Sequence, residues 1–133
     1  MGEVHVRVRL TNAVDEALVR RGALAPDRVR SHEADALVDT GASRTVLPSD
    51  IAERLGLAIR TRVPVGYADG RQESVGVTEP LAIEIDGHDT LDEALVLGDQ
   101  VLIGQTVLEK LNLLVDCDAR RLIPNPRRPA SRV

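Results

Sequence analysis

The sequence predicts a mostly β domain, a closed sheet or small barrel with one or two short helices. Three observations carry this prediction. Short stretches in which apolar and polar residues alternate recur along the chain, as strands with one buried face do. Tight-turn signals separate them, above all Asp-Gly pairs. One short helical pattern follows each of two strand ends marked by glycine, which fits a closed sheet or barrel of short strands.

The first strand is predicted over Val4–Leu10, where apolar and polar residues alternate with period two. The stretch 15–30 mixes charged residues with glycine and proline and has no sustained periodicity. We expect a loop there, with at most a short helical turn around Asp15–Arg21. The next strand, Glu33–Val38, ends at Asp39.

A glycine turn and a short helix follow the second strand. Gly41 can take backbone angles closed to other residues and therefore permits a sharp turn after Asp39. A brief strand over Arg44–Leu47 comes next. We expect Ser49 to be the N-cap of a two-turn helix and Gly56 to end it.

Two hairpins are predicted in the middle of the chain. The first joins Val63–Ala68 to Arg71–Val77 through an Asp-Gly pair. The second starts with Leu81–Ile85, turns at another Asp-Gly pair and returns over Glu93–Leu97. Together they predict a meander of short strands.

A wholly apolar run and a last hairpin complete the predicted fold. Val101–Ile103 has the pattern of a strand buried on both faces and should cross the centre of the molecule. Gly104 opens a helical stretch over Gln105–Leu111. Leu113–Val115 and Arg121–Ile123 flank the final turn.

Composition limits the classes of function. The chain has 133 residues and is 43% apolar, which suffices for one domain that we assign to 1–124. The Pro- and Arg-rich tail, 125–133, is expected to be disordered. A net charge of −4, with Tyr67 as the single aromatic residue, argues against nucleic-acid binding. Neither a signal peptide nor a membrane span is recognisable.

Cysteine and histidine usage argues for a reducing compartment and against a metal site. Cys117 is the only cysteine and has no partner for a disulfide or a metal. We expect it to be a small buried side chain in a cytoplasmic protein. His5, His32 and His88 are scattered without metal-binding spacing, so no metal or other cofactor is predicted.

Two motifs carry the functional prediction. The first, within Ala36–Ser43, is an apolar strand that ends in an Asp-Thr-Gly turn at 39–41. The second lies far downstream and is an apolar strand that ends in glycine, Val101–Gly104. Together they resemble the active-site signature of the retroviral-type (retropepsin-like) aspartic proteases, over about residues 30–124. Such enzymes need two facing carboxylates, and this chain has one Asp-Thr-Gly. The resemblance therefore implies a homodimer that cleaves a peptide or protein substrate.

The resemblance also implies roles for individual residues. Asp39 would be the catalytic acid and base. Thr40 would hydrogen-bond across the pair of aspartates and brace the two loops that carry them. Gly41 would let backbone N–H groups approach the carboxylate. Ser43 would bond the outer oxygen of Asp39. The supporting strand would pack behind the turn and hold it rigid, through Leu102, Ile103 and Gly104.

The hairpin Val65–Val77 would be the flap of such an enzyme, a mobile cover over an extended substrate. Tyr67 is similar in general placement to the flap tyrosine of pepsin-like enzymes. The tip of the flap would consist of Tyr67, Ala68, Asp69 and Gly70.

Two functions from different classes remain open. One is the homodimeric aspartic endopeptidase. The other is a catalytically silent retropepsin-like module that binds a peptide or dimerises. The intact Asp-Thr-Gly favours the enzyme, because a binding module has no need for a pair of carboxylates that repel each other.

Overall fold

The computed structural model of the chain describes residues 3–126. The strands are β1 (His5–Asn12), β2 (Ser31–Val38), β3 (Val46–Leu47), β4 (Ile59–Gly66), β5 (Gln72–Thr78), β6 (Leu81–Ile85), β7 (His88–Asp92), β8 (Leu95–Val96), β9 (Leu102–Ile103), β10 (Leu113–Asp116) and β11 (Arg121–Pro124). The α-helices are α1 (Ala13–Arg20), α2 (Ser49–Arg54) and α3 (Gln105–Lys110), and a 3-10 helix covers Pro26–Arg28. The predicted mostly β fold is confirmed, with three short α-helices in the described part where one or two were predicted.

Nine strands form one sheet that curls into a half-barrel, in the order β4-β5-β8-β3-β9-β2-β1-β6-β7. The remaining pair, β10 and β11, forms the predicted final hairpin. In the large sheet, β9 lies between β2, to which it is parallel, and β3, to which it is antiparallel. Ile103 is fully buried there. The central position predicted from the apolar run Val101–Ile103 is confirmed.

The core is aliphatic, as a chain without Phe or Trp requires. Along β1, Val8 and Leu10 are buried while Arg7 and Arg9 are exposed, so the period-two pattern separates the core face from the solvent face. Each large aliphatic side chain buried in this way stabilises the fold by about 1.5–3 kcal/mol. The largest fully buried aliphatic side chains are Leu10, Leu47, Leu55, Leu81, Ile83, Ile85, Ile103 and Leu108.

The return strand of the second hairpin was predicted wrongly. It is β7, and not Glu93–Leu97. Asp86 and Gly87 both have positive φ, 50° and 80°, and form a two-residue turn that pairs His88 directly with Ile85. The later strand β8 pairs instead with β3 and β5.

The segment expected to be a loop contains a regular helix, α1, and the prediction of only a short turn there was wrong. Asn12 is its N-cap, and the side chain accepts a hydrogen bond from Asp15 N at 3.0 Å and donates one to Leu55 O at 2.8 Å. The buried Asp15 carboxylate accepts hydrogen bonds from both Nε and Nη2 of Arg30. These bonds lower the pKa of Asp15 and tie the helix to the start of β2.

The boundaries of α2 agree with the prediction at one end only. Pro48, without a side-chain hydrogen bond, is the N-cap, so the prediction of Ser49 as the cap was wrong, and Ser49 is the first helical residue. At the other end Gly56 has φ 62° and donates its N–H to Glu53 O, which confirms that glycine ends this helix.

Cys117 was expected to be buried, and it is exposed. It lies in the turn between β10 and β11, where the chain reverses at the surface. The prediction of a disordered tail falls mostly on residues 127–133, which lie outside the described residues. Within 3–126, none of the helices has the length and apolar character needed to cross a membrane.

Candidate active site

Asp39 follows the last residue of β2 and is held there by the neighbouring strand β9. Its backbone N–H donates to Ile103 O at 2.9 Å, and two residues earlier Leu37 N–H donates to Val101 O at 2.9 Å. The pairing of β2 with β9 therefore continues one residue past Val38. Asp39 is half-buried at the end of the strand, and the bond to the buried Ile103 fixes the position of its backbone.

The turn after Asp39 folds back on the carboxylate. Gly41 N–H donates to Asp39 Oδ1 at 3.0 Å, and Ala42 N–H donates to Asp39 O at 3.1 Å. A Cβ on Gly41 would lie 3.2 Å from Asp39 Oδ1, so a larger residue would crowd the close approach. Thr40 and Gly41 are exposed. One carboxylate oxygen is thus oriented by the backbone of its own turn.

The end of β9 lies directly behind this turn. Gly104 is buried, and a Cβ built on it would stand 2.5 Å from Ala42 O and 3.0 Å from Arg44 O. The next residue, Gln105, donates its N–H to Ala42 O at 2.8 Å. Only glycine permits such an approach between two backbones, which explains the glycine of the downstream motif. The two motifs meet in space, as the resemblance implies.

A second anchor, not predicted from the sequence, holds the far end of the same loop. Thr45 Oγ1 donates to Asp92 Oδ2 at 2.6 Å, and Thr45 N lies 3.3 Å from the same oxygen as a second donor. Thr45 is fully buried, so its hydroxyl needs a partner within the protein. The two residues are 47 positions apart, and no local pattern links them.

The predicted flap is the β4–β5 hairpin, with its turn at residues 67–71. Tyr67 N–H donates to Arg71 O at 2.8 Å, and Gly70 N–H donates to Tyr67 O at 3.0 Å. The Tyr67 hydroxyl donates to Glu73 Oε2 at 2.8 Å, a bond that raises the pKa of Tyr67. The four residues predicted for the tip, including Ala68 and Asp69, lie together in this turn.

Arg71 is the centre of the contacts at the flap tip. Its guanidinium lies 5.0 Å from the centroid of the Tyr67 ring, in cation–π geometry. Its Nε also donates to Asp69 Oδ2 at 2.6 Å, and its backbone N–H donates to Asp69 Oδ1 at 3.0 Å. The backbone bond, followed by the guanidinium bond, lowers the pKa of Asp69. These side-chain contacts all stay within the hairpin.

A cavity of about 510 Å³ lies between α1 and the edge strand β7, away from Asp39. The cavity is lined by Ala13, Val14, Glu16, Ala17, Arg20, Pro80, Asp89 and Leu91.

Ser43 and Leu102 are two further residues that were predicted to belong to the site. Ser43 is exposed on the loop, and the role predicted for its hydroxyl stays a prediction. Leu102 is partly exposed on β9 beside the buried Ile103. In residues 3–126, no group of His, Cys, Asp or Glu side chains is placed to hold a metal ion.

The chain matches a known protein family over the region that carries the Asp39 turn. Residues 26–110, more than half of the chain, match the family described as gag-polyprotein putative aspartyl protease. The matched region contains the Asp39 turn, the flap hairpin and β9, and it leaves out β1, α1 and the last hairpin. The comparison with curated proteins gave no match.

Proposed function

Because the chain belongs to the family of gag-polyprotein putative aspartyl proteases, we propose that it is an aspartic endopeptidase that acts as a homodimer. One observation carries the proposal. The Asp39 carboxylate stands at the end of β2, with Oδ1 oriented by Gly41 N–H, on a turn that β9 supports from behind. The sequence contains one Asp-Thr-Gly, so the second carboxylate has to come from a second copy of the chain.

The chemistry follows from two carboxylates in close contact. Like charges a few ångströms apart cannot both be ionised, so the two Asp39 side chains share one proton. The ionised group takes a proton from a bound water, which then attacks the scissile carbonyl. The protonated group polarises that carbonyl and later protonates the leaving amine.

The other predicted residues assist this step. Gly41 N–H keeps one oxygen of Asp39 in a fixed direction, so that the second oxygen faces the shared proton and the water. Thr40, exposed on the same turn, bonds to the partner chain and braces the two turns. The flap tip, 67–71, closes over a substrate that lies as an extended strand and excludes water from it.

The cellular location forms part of the proposal. We place the enzyme in the cytoplasm, since its single cysteine suits a reducing compartment. Its substrate is a peptide or an unfolded segment of a protein, because a cleft under a flap admits a single extended strand.

The decisive experiment compares two Asp→Asn variants on a diverse peptide mixture at about pH 4–6, since paired carboxylates work in the acid range. Asp39→Asn is expected to lower cleavage by about 10²–10⁴-fold or more, because it removes the general base. Asp35→Asn is the matched control, since Asp35 is exposed on the strand that precedes Asp39 and its carboxylate lies 3.4 Å from His5 Nδ1. It should retain activity.

Mixing tests the homodimer directly. An excess of Asp39→Asn protein added to wild-type protein should reduce its activity, because mixed dimers hold one ionisable carboxylate in place of two. The solution mass should be that of two chains. Peptide binding without cleavage, equal in wild type and Asp39→Asn, would instead support the silent binding module. Cleavage that survives Asp39→Asn contradicts the proposed enzyme.

A further inference from the structure

The hydrogen bond between Thr45 and Asp92 sits at a junction of the fold. Thr45 is fully buried and directly precedes β3, six residues after Asp39. Its hydroxyl and its backbone N–H both point to one oxygen of Asp92, at 2.6 Å and 3.3 Å. Two donors on a carboxylate oxygen make a charge-assisted anchor, stronger than a bond between neutral groups.

Asp92 begins a connector, residues 92–97, that lies between β3 and the flap strand β5. On the β3 side, the backbone N–H of Leu95 donates to Thr45 O at 2.9 Å, and that of Leu97 donates to Leu47 O at 3.1 Å. On the flap side, Thr78 N–H donates to Ala94 O at 2.9 Å, and Ala94 N–H donates to Thr78 Oγ1 at 3.1 Å. The same short segment thus bonds to both parts of the proposed site.

Two further anchors hold the first half of the loop. Asp39 N–H is bonded to Ile103 O and Gln105 N–H to Ala42 O, both from β9 and the start of α3. Beyond Ala42, the loop is held in place by its contact with Gly104 and by the bonds of Thr45. Without the Asp92 carboxylate, Thr45 would keep the backbone bond from Leu95 N–H and lose both of its bonds to the Asp92 side chain.

We propose that Asp92 is a positioning residue of the active site, which sets the Asp39 turn relative to the flap through its hydrogen bonds to Thr45. The inference rests on the proposed function. Asp92 does not touch the reacting atoms. It acts through Thr45, and a shift of about 1 Å in a reacting group can reduce the rate about 10²-fold.

The test compares substitutions that remove the bond with substitutions that keep it. Thr45→Val removes the hydroxyl at nearly constant volume, and Thr45→Ser retains it. Thr90→Val is the matched control, because Thr90 lies on β7 two residues before Asp92. Each protein is assayed for kcat and KM on one cleaved peptide, at a temperature where thermal unfolding and solution mass show it folded and dimeric.

Thr45→Val and Asp92→Ala are expected to lower kcat by about 10–100-fold with KM changed less than about threefold, since a misplaced turn affects the transition state more than substrate binding. Thr45→Ser should restore most of the rate, and Thr90→Val should match the wild type. If folded, dimeric Thr45→Val retains the wild-type kcat, the positioning role is overturned.

Amide hydrogen exchange tests the same inference without any activity. In Thr45→Val the N–H groups of Ala42 and Gln105 should exchange about tenfold faster than in wild type, while those of β10 and β11 should be unchanged. If the wild type cleaves nothing, the proposed function fails, and faster exchange at Ala42 still supports the anchor. Unchanged protection of both amides overturns the anchor, whatever the activity.

Discussion

The loop that carries Asp39 and the tip of the β4–β5 hairpin are held in opposite ways. The loop, 39–45, bonds to three other elements through Ile103, Gln105 and Asp92. Within residues 3–126, the tip, 67–73, forms hydrogen bonds only inside its own hairpin, and its ion pair between Asp69 and Arg71 is exposed. The loop at Asp39 is therefore fixed by other elements of the fold, whereas the hairpin tip is held by contacts between its own residues.

This difference matches what the proposed reaction requires. A reacting carboxylate has to be held in one geometry, so its supports should come from the core. A cover has to open and close, so its supports should be weak and local. Exposed ion pairs contribute little to stability. The hairpin joins the rest of the sheet at its base, where Gly76 and Val77 pair with β8 and Thr78 bonds to Ala94. The fold thus combines a rigid reactive group with a separable cover.

The largest effect is expected from Gly104→Ala. The new methyl group would meet Ala42 O at 2.5 Å, and neither backbone can move without breaking the pairing of β2 with β9. Overpacking of this kind should destabilise the protein by about 1–3 kcal/mol or more and abolish cleavage. Chemical denaturation followed by circular dichroism measures the free energy of unfolding.

A glycine of the flap is the control for this substitution. Gly66 has no atoms within 4 Å of an added Cβ and no positive φ, so Gly66→Ala should leave stability unchanged or raise it by about 0.4–1 kcal/mol. Equal unfolding energies for the Gly104 and Gly66 variants would show that the loop is not rigidly held, and the comparison between the two regions would fail.

A smaller effect is expected from Gly70→Ala at the tip of the flap. Gly70 has φ 87° and open space around its Cβ position, so the cost is backbone strain of about 1–2 kcal/mol at most. The tip can relax into another turn, and the measured loss should therefore stay below that of Gly104→Ala. Amide exchange at Gly70, whose N–H donates to Tyr67 O, should become faster while exchange at Ala42 stays the same. Faster exchange at both sites would mean that the two regions are coupled.

A local pattern in the sequence predicted the centre of the fold, because the apolar run of β9 indicated a strand buried on both faces. The meeting of the two motifs was implied by the resemblance, which placed Leu102, Ile103 and Gly104 behind the Asp39 turn. The close approach of Gly104 to Ala42 O became visible only in the structure. The catalytic role of Asp39 and the second chain remain predictions, because they concern contacts that one chain does not contain.

The errors come from elements whose local signal is weak. The edge strand β7, His88–Asp92, is mostly polar and exposed, so its composition resembles a loop. The helix α1 does have a local signal, the capping residue Asn12 followed by Asp15 and Glu16 in the first turn, but the glycine and proline that follow favour a loop. The anchor between Thr45 and Asp92 has no local signal, because burial of a threonine and its distant partner depends on the folded topology.

The smallest effect is expected from pH, which should alter the tip and leave the β9 side of the loop in place. The Arg71 backbone N–H and guanidinium keep the pKa of Asp69 below its ordinary value of 3.8. A lowered carboxyl pKa means that the contact is present above 3.8 and is lost as the pH falls through the lowered value. The tip should thus stay ordered across the proposed assay range.

An NMR titration of the Asp69 carboxyl should give a midpoint below 3.8. In Arg71→Ala the midpoint should rise but stay below 3.8, since the backbone N–H remains. A wild-type midpoint at or above 3.8 would mean that the bonds between Asp69 and Arg71 do not form in solution, and that they do not stabilise the hairpin tip.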